Sequence, residues 1–599
     1  MAKSQVNHRQ SPVDIAAAAI VLAFACLISL FAIRNNDIWW LLAVARRIVE
    51  TQSFITQDPF TFTVEGAPWA PQSYLAALVF YAVHALTSAW GLIIVRAVLV
   101  VAIFAVSLWT LSRVGVGWAL ASPVVLVALL NAHSRFLVRA HLFEYLFLVI
   151  LVWFLLTAAR RQGKSFFVIP IVLQLLWVNT HPSFAIAPAL ALLFFGGEWL
   201  SGVLAKRSSL VRPHAIETYN WRRVGVLLVL MLVACLVNPS PGLFLTQPFG
   251  GEHRELISRF TLEWRSPFDP ALKHGAFHPY YEILLGLAAL AIVLSLHRLK
   301  LAPALLVVAT AYLSFQAHRF RVEFALVSLP MIFVLFASST VVQSVRRRLT
   351  TAKYGVLTAR LLAIAASVVL IATAADRVSI GGAVADRYPV QAFDYVRTEN
   401  IARRAYHTIG HGSFLLWELY GERKSFIDGR NFNPSLYRDF LVCQTSYEGR
   451  RRITGKYDLD AFIIPPLERS DAGMERVHRS LVQDDRWTLC YLDRHAWIYV
   501  RREAVDSQWL AQNGHRAYHP MTLHNRKMRE EEMLAALTDL ERAVNVSPAY
   551  ARIRVDLALV YMAVGNIKKA SREVDQILEI DPNHKAALDI RERLRDLDR

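Results

Sequence analysis

The sequence is poor in cysteine and in charge for its length. Of its 599 residues only 4 are cysteine and 19% are charged, whereas 55% are hydrophobic. So few cysteines exclude a fold held mainly by disulfides. Whether Cys443 and Cys490, which fall in one polar region, form a bridge is not decided by their spacing. A mean hydropathy of +0.34 is too apolar for an ordinary soluble protein, so we expect a membrane protein.

Acidic residues are also scarce, and the formal net charge is +18. The basic residues form short clusters between apolar runs, which is typical of membrane loops rather than of a surface that binds nucleic acid. We therefore expect membrane lipids, and no nucleic acid, among the partners. The first apolar run has no clear small-residue cleavage site, so it is predicted to be an uncleaved transmembrane helix.

Apolar runs of about membrane-spanning length predict eleven transmembrane helices. They lie near 14–33, 90–111, 116–132, 142–158, 165–180, 183–204, 223–237, 279–297, 301–317, 322–342 and 357–375. One further run, "YLAALVFYAVHAL" at 74–86, is short and is assigned to an interfacial helix that does not cross.

With that assignment, all strongly basic loops fall on one side of the membrane, which the positive-inside rule identifies as the cytoplasmic side. Their basic residues, together with the N-terminal Lys3 and Arg9, are Arg113, Arg160, Arg161, Lys164, Lys206, Arg207, Arg212, Arg222, Arg223, Arg298, Lys300, Arg346, Arg347, Arg348 and Lys353. The opposite side collects His, Asp, Glu and mixed-charge segments. These are residues 34–89, 131–144, 179–184, 238–270 and 316–323.

Three domains are predicted. A transmembrane domain spans 1–378, with a first outer loop at 34–89 and a long outer loop at 238–278. An extracytoplasmic α/β domain follows at 379–505. The helical region 506–599 carries Pro548 and Pro582, which are 34 residues apart, the period of tetratricopeptide repeats. So few repeats are predicted to pack on the α/β domain or on a periplasmic partner protein.

Several short motifs resemble one family of membrane enzymes. The segments concerned are Asp37–Trp40 ("DIWW"), Asp58–Thr63 ("DPFTFT"), Asn238–Gly242 ("NPSPG"), Glu263–Trp264 and Asp428–Arg430 ("DGR"). Together they resemble the multispanning glycosyltransferases of the GT-C fold, and within these a bacterial subgroup with a D-x-W-W start. The sequence departs from that family at Tyr74, where a second Trp is usual, and lacks the acidic neighbour that some branches have beside the catalytic aspartate.

The resemblance implies a fold, an activity and partners. It implies a polytopic α-helical protein of the bacterial cytoplasmic membrane that transfers a sugar from a polyprenyl-phosphate donor to a glycan, lipid or protein acceptor, with inversion at the sugar carbon. Asp37 matches the catalytic aspartate and Arg96 the arginine that follows the first outer loop. Glu263 and Asp58 are the other acidic candidates. No cofactor is assigned, and a divalent cation is left open.

Cationic side chains would stabilise the departing lipid phosphate, and arginine suits this because its planar fork binds two oxygens. The candidates for phosphate and sugar binding are Arg96, Arg135, Arg139, His141, His181, His318, Arg319 and Arg321.

Each of these candidates also has an ordinary structural interpretation. The arginines could be snorkelling residues at helix ends, and Arg319 or Arg321 could pair with Glu323. His181 could cap a helix. His133, His141 and Glu144 could hold a metal, although no metal site is assigned. Glu263 could lie in a surface turn, and "DGR" at 428–430 could be a turn bonded to itself.

Two functions from other classes remain open. A transporter or flippase of a lipid-linked or anionic solute would show charges in the middle of its spans and broken helices in paired halves. A membrane scaffold would use the tetratricopeptide region to recruit partners, a role that is compatible with enzymatic activity.

Overall fold

The computed structural model describes residues 10–160, 163–207, 210–212, 219–242, 262–269, 279–430, 433–523 and 528–597. The chain divides into two compact units. The first unit comprises Met1–Thr56 and Trp69–Ala385, and the second comprises Gln57–Pro68 and Asp386–Arg599.

The first unit is built from α-helices. In chain order they are α1 (Pro12–Leu27), α2 (Asp37–Thr51), α3 (Tyr74–Arg113), α4 (Trp118–Ala132), α5 (His141–Thr157), α6 (Ser165–Val178), α7 (Ile186–Leu204), α8 (Trp221–Ala234), α9 (Pro279–Ser295), α10 (Leu301–Gln316), α11 (Arg321–Ser338), α12 (Thr340–Thr351) and α13 (Gly355–Ala372).

Each of the eleven predicted apolar runs overlaps one of these helices. Among the described residues, five helical stretches are long and apolar enough to cross a membrane. They are Tyr74–Arg113, Pro182–Leu204, Pro279–Arg298, His318–Ser338 and Gly355–Ala372. The number of spans, eleven, stays a prediction. The run at 74–86 and the run at 90–111 are one helix, α3, with a kink at Ser88, whose φ is 57°.

Helix α4 lies at the centre of the first unit. It packs against α1, α9, α11 and α13, and most of its side chains are buried. The start of α1 is fixed by a capping box between Ser11 and Asp14, and Asp14 also accepts a hydrogen bond from the backbone of Ala119 at 3.0 Å. These contacts join the first helix to the beginning of α4.

The second unit combines a four-stranded sheet with helices. The strands are β1 (Ala405–His407), β2 (Ala461–Ile464), β3 (Trp487–Leu492) and β4 (Trp497–Arg501), in the order β1-β2-β4-β3. Strands β1 and β2 are parallel, and the other pairs are antiparallel. The sheet is buried, and Cys443 and Cys490, also buried, are free thiols, so these two residues do not form a disulfide.

Helices surround this sheet and continue beyond it. They are α14 (Val390–Thr398), α15 (Ile409–Glu418), α16 (Pro434–Val442), α17 (Tyr447–Tyr457), α18 (Ala472–Val482), α19 (Ser507–Asn513), α20 (Glu530–Val546), α21 (Ala551–Ala563), α22 (Ile567–Ile580) and α23 (Lys585–Leu597). The last four pack pairwise in sequence, as tetratricopeptide helices do. Tyr550 and Arg552 contact Glu468 of the α/β part, both at 3.3 Å, so the repeats pack on that part.

The loop Gln57–Pro68 belongs to the second unit although it lies between α2 and α3 in the sequence. Thr61 pairs with Ser425 in a parallel bridge, and Arg430 binds both Asp58 and Asp428 at 2.6 Å. We call Asp58, Asp428 and Arg430 the buried clamp. The expected local bond within "DGR" is present, but Arg430 has a second partner that is 372 residues away.

Candidate active site

Asp37 is the first residue of α2, in the first unit. The partial positive charge of a helix N-terminus stabilises a carboxylate there. Its neighbours Ile38 and Trp39 are buried, which holds the start of the helix in place. Asp37 forms an ion pair with Arg139, and both side chains stay partly accessible, at 20% and 26%. The carboxylate is therefore partly open to solvent.

Glu263 joins the same cluster from a short 3-10 turn, Leu262–Trp264. It forms an ion pair with Arg135, and its Oε2 lies 3.6 Å from Nη1 of Arg139. Burial raises the pKa of Glu263, but Arg135, Arg139 and Arg319 together outweigh burial and lower the pKa to about 2. Glu263 is therefore ionised at neutral pH and is a weak proton acceptor.

Arg319 completes the cationic side of the cluster. Its guanidinium lies 4.4 Å from the ring centre of Trp264, a cation–π contact. The backbone N–H of His318 donates to the carbonyl of Arg265 at 2.8 Å. These two contacts hold the turn at 262–265 against the beginning of the helical stretch His318–Ser338.

A buried polar layer supports these groups. Nε2 of His141 donates to the carbonyl of Arg135 at 2.6 Å, and the side chain of Asn131 donates to the carbonyl of Arg321 at 3.0 Å. His181 contacts Glu144 through Nδ1 at 2.9 Å. The layer thus fixes the backbone that carries Arg135 and the start of α11.

Arg321 and Glu323 lie in the first turn of α11 and are buried. Arg321 donates from Nε to the carbonyl of His318 at 3.2 Å, and Arg319 interacts electrostatically with Glu323. Oε2 of Glu323 has no hydrogen-bond partner among the described residues, and the pairing of Glu323 with Arg319 or Arg321 stays a prediction.

Two candidates lie apart from this cluster. Arg96 is fully buried, donates from Nε to the carbonyl of Ser29 at 2.7 Å and also bonds the carbonyl of Phe31. It therefore fixes the chain between α1 and α2. Asp58 is in the second unit, where it is buried in the clamp with Arg430. Neither residue is used in the mechanism proposed below.

The described residues of the cluster offer a metal ion two carboxylates, those of Asp37 and Glu263. Among the residues that the structure describes, no three His, Cys, Asp or Glu side chains converge as metal ligands. His133, His141 and Glu144 form no such group, and both Asp37 and Glu263 already have arginine partners. No step below passes through a metal.

Sequence reasoning missed two contributors. Trp264 entered only as part of a motif, although its ring is the platform for Arg319. Glu144 was considered only as a metal ligand, although it is the partner of His181. The available signal for Trp264 was the pattern W-R beside an acidic residue in an outer loop. A buried acid in the first turn of an apolar helix was the signal for the second.

In its fold the chain is similar to polytopic membrane proteins of the GT-C fold. Two solved structures of the archaeal oligosaccharyltransferase AglB from Archaeoglobus fulgidus show this likeness. One, in complex with an inhibitory peptide and a dolichol-phosphate, has a TM-score of 0.51 at 14% identity, covering 93% of this chain and 87% of that one. The apo form has a TM-score of 0.53 at 14% identity, covering 92% and 86%.

A further solved structure and a repeat family also match. ArnT from Cupriavidus metallidurans bound to undecaprenyl phosphate gives a TM-score of 0.48 at 12% identity, covering 82% of this chain and 98% of that one. Residues 527–594 match a tetratricopeptide repeat family, which confirms the repeat prediction. No curated protein matches the chain. The resemblance to the GT-C fold is thus confirmed as a fold, and the D-x-W-W subgroup stays a prediction.

Proposed function

We propose that the protein is a membrane glycosyltransferase that moves a sugar from a polyprenyl-phosphate donor to an extracytoplasmic glycan, lipid or protein. The observation that carries this proposal is the cluster of Asp37, Arg139, Glu263, Arg135 and Arg319. Asp37, Arg139 and Glu263 are partly accessible, whereas Arg135 is buried. The AglB structure that shares the fold holds a dolichol-phosphate, which is a ligand of the same chemical class.

In the proposed reaction the acceptor attacks the anomeric carbon of the sugar from the side opposite the lipid phosphate. The bond between that carbon and the phosphate oxygen breaks, and the phosphate leaves with the electron pair. Arg139 binds Asp37 through Oδ2, so we assign Oδ1 as the oxygen that takes the acceptor proton. A single displacement of this kind inverts the anomeric configuration.

The charge of the cluster suits an anionic donor. Three guanidinium groups, those of Arg135, Arg139 and Arg319, face two carboxylates, those of Asp37 and Glu263. The excess of positive charge favours a phosphate, and paired arginines stabilise the charge that develops as it leaves. Glu263 keeps Arg135 and Arg139 together before the donor arrives.

The positions of the buried acids favour this function over a transporter. Glu144 and Glu323 lie in the first turns of their helices and not in the middle of a span. The basic clusters favour a bacterial cytoplasmic membrane with the site outside. On that topology the tetratricopeptide region is available to a periplasmic partner or acceptor.

The test is the variant Asp37→Asn, which keeps the shape of the side chain but removes the proton acceptor. General-base catalysis contributes about 100-fold to 10,000-fold, so we expect transfer to fall by at least about 100-fold. The assay measures release of polyprenyl phosphate by purified protein in lipid nanodiscs, supplied with a polyprenyl-phosphate-sugar extract and a membrane acceptor fraction.

Glu50→Gln provides the matched control. Glu50 is on the same helix and also pairs with an arginine, Arg46, at 2.8 Å, but both side chains are exposed. This variant should transfer at the wild-type rate. If Asp37→Asn transfers at the wild-type rate, Asp37 is not the base. If the wild-type protein transfers no sugar from any of the polyprenyl-phosphate-sugar extracts supplied, the proposed function is refuted.

A further inference from the structure

Helix α12 (Thr340–Thr351) connects two apolar helices of the first unit, α11 and α13. All twelve of its residues are among those described, and each of its side chains is at least partly exposed. Its first backbone N–H, that of Thr340, donates to Nε2 of His297 at 3.1 Å. The helix is therefore attached at its start, and none of its side chains is buried.

The position of α12 along the chain places it at a membrane surface. Helix α11 begins at Arg321, beside the candidate active site, and its 18 residues rise about 27 Å, close to the thickness of the hydrocarbon core. Helix α12 follows at the far end. Helix α13 then runs back over another 18 residues, and the chain returns to Ile33, whose N–H donates to the carbonyl of Ala383 at 2.9 Å.

The side chains of α12 are arranged as in a helix that lies in the membrane interface. Val341, Val345 and Arg348 follow one another at i, i+4 and i+7 and therefore share a face. The two valines are 56% and 52% exposed, so this apolar face is not covered by protein. Arg347 lies two residues after Val345, about 200° around the helix, and points to the opposite side.

The charge of this region is of one sign. Arg346, Arg347, Arg348 and Lys353 occur in a stretch, Phe324–Ala375, that contains no acidic residue. The ammonium of Lys353 lies 5.2 Å from the ring centre of Tyr354, which is 62% exposed and suited to the headgroup level.

We propose that α12 is a binding site for anionic phospholipid headgroups. Val341 and Val345 lie at the boundary between acyl chains and headgroups, and Arg348 and Lys353 bind the headgroup phosphates. Because Arg348 shares the apolar face whereas Arg347 does not, the proposal distinguishes between two adjacent arginines. It does not depend on the proposed glycosyl transfer.

The test measures phospholipid retained by the purified full chain in a neutral detergent, by native mass spectrometry. Phosphatidylglycerol and phosphatidylcholine are the two probes. Each basic residue near the headgroups contributes about fivefold in affinity, so the double variant Arg348→Gln, Lys353→Gln should bind phosphatidylglycerol about 25-fold more weakly. The measurement is made at about 0.15 M salt, where charges more than about 8 Å apart are largely screened. Arg347→Gln is the matched control and should change binding by less than about twofold.

Each outcome bears on the proposal. The proposal is supported if the wild type prefers phosphatidylglycerol, if this preference weakens in high salt, and if the double variant selectively loses phosphatidylglycerol binding. Equal retention of the two lipids by the wild type would overturn it without any variant. A loss of about fivefold in Arg347→Gln, the same per residue as in the double variant, would also overturn it, because the effect would then be general surface charge. Because no side chain of α12 is buried, the variants should elute as the wild type does.

Discussion

Removal of Arg430 tests the buried clamp of the second unit. Arg430 and its partners Asp58 and Asp428 have side chains that are 1%, 0% and 2% exposed. The guanidinium donates to Asp58 at 2.6 Å and to both oxygens of Asp428 at 2.7 and 2.6 Å. Arg430→Met keeps much of the side-chain volume but leaves two buried carboxylates without their shared cation.

The expected loss is large because breaking one buried ion pair costs about 3–5 kcal/mol. Because the two ion pairs share one arginine, their contributions are not additive. We therefore expect a loss of about 4 kcal/mol in the free energy of local unfolding around the clamp. This corresponds to about a thousandfold fall in protection from hydrogen exchange. The assay compares protection of residues 57–68 and 424–430 in the wild type and in Arg430→Met, with Arg403→Met as an exposed control in the same unit.

A second measurement separates charge from packing. Burial raises the pKa of Asp428, but Arg430 outweighs burial and holds that pKa below its usual range. Without Arg430 the pKa rises, so the deficit of Arg430→Met should shrink as the pH falls and the carboxylates are protonated. Adding Asp58→Asn and Asp428→Asn should also restore protection. A loss below about 1 kcal/mol, or a deficit independent of pH, would refute the reasoning.

Two further predictions concern the second unit. Asp539 is buried and accepts the backbone N–H groups of residues 516–518 at 2.7, 2.8 and 3.0 Å, so Asp539→Ala should cost about 3 kcal/mol, measured as lost exchange protection of these residues. Burial lowers the pKa of His407, His411 and His478 to about 4 each. Because the unfolded chain binds more protons than the folded chain at acid pH, these three histidines make the folded state less stable as the pH falls from about 6.5 toward 4. The loss is about 2 kcal/mol for each histidine at pH 5. Thermal unfolding at pH 7.5 and pH 5 should therefore give a lower Tm at pH 5.

The helices of the first unit were predictable because apolar length alone specifies a helix in lipid, where the backbone must satisfy its own hydrogen bonds. The tetratricopeptide region was predictable from the 34-residue spacing of Pro548 and Pro582. Both signals are local. They do not depend on which distant segments meet.

The arginines could not be sorted from the sequence because their partners are distant. Arg135 and Glu263 are separated by 128 residues, and Arg96 and Phe31 by 65. From the sequence, Arg96 and Arg139 are alike, since both lie near a helix end beside apolar residues. In the folded structure Arg96 binds backbone carbonyls, whereas Arg139 contacts two carboxylates.

In the candidate active site, two carboxylates share Arg139. Arg139 contacts both Asp37 and Glu263, so a phosphate that binds Arg135 and Arg139 competes with Glu263 for the same N–H groups. Before the donor binds, Glu263 is ionised, since the three arginines lower its pKa to about 2, and its negative charge would repel the donor unless Arg319 remains close to it. The cation–π contact with Trp264 keeps Arg319 there. Arg319 therefore compensates Glu263 while the other two arginines serve the phosphate, and Asp37 keeps its partner as the base.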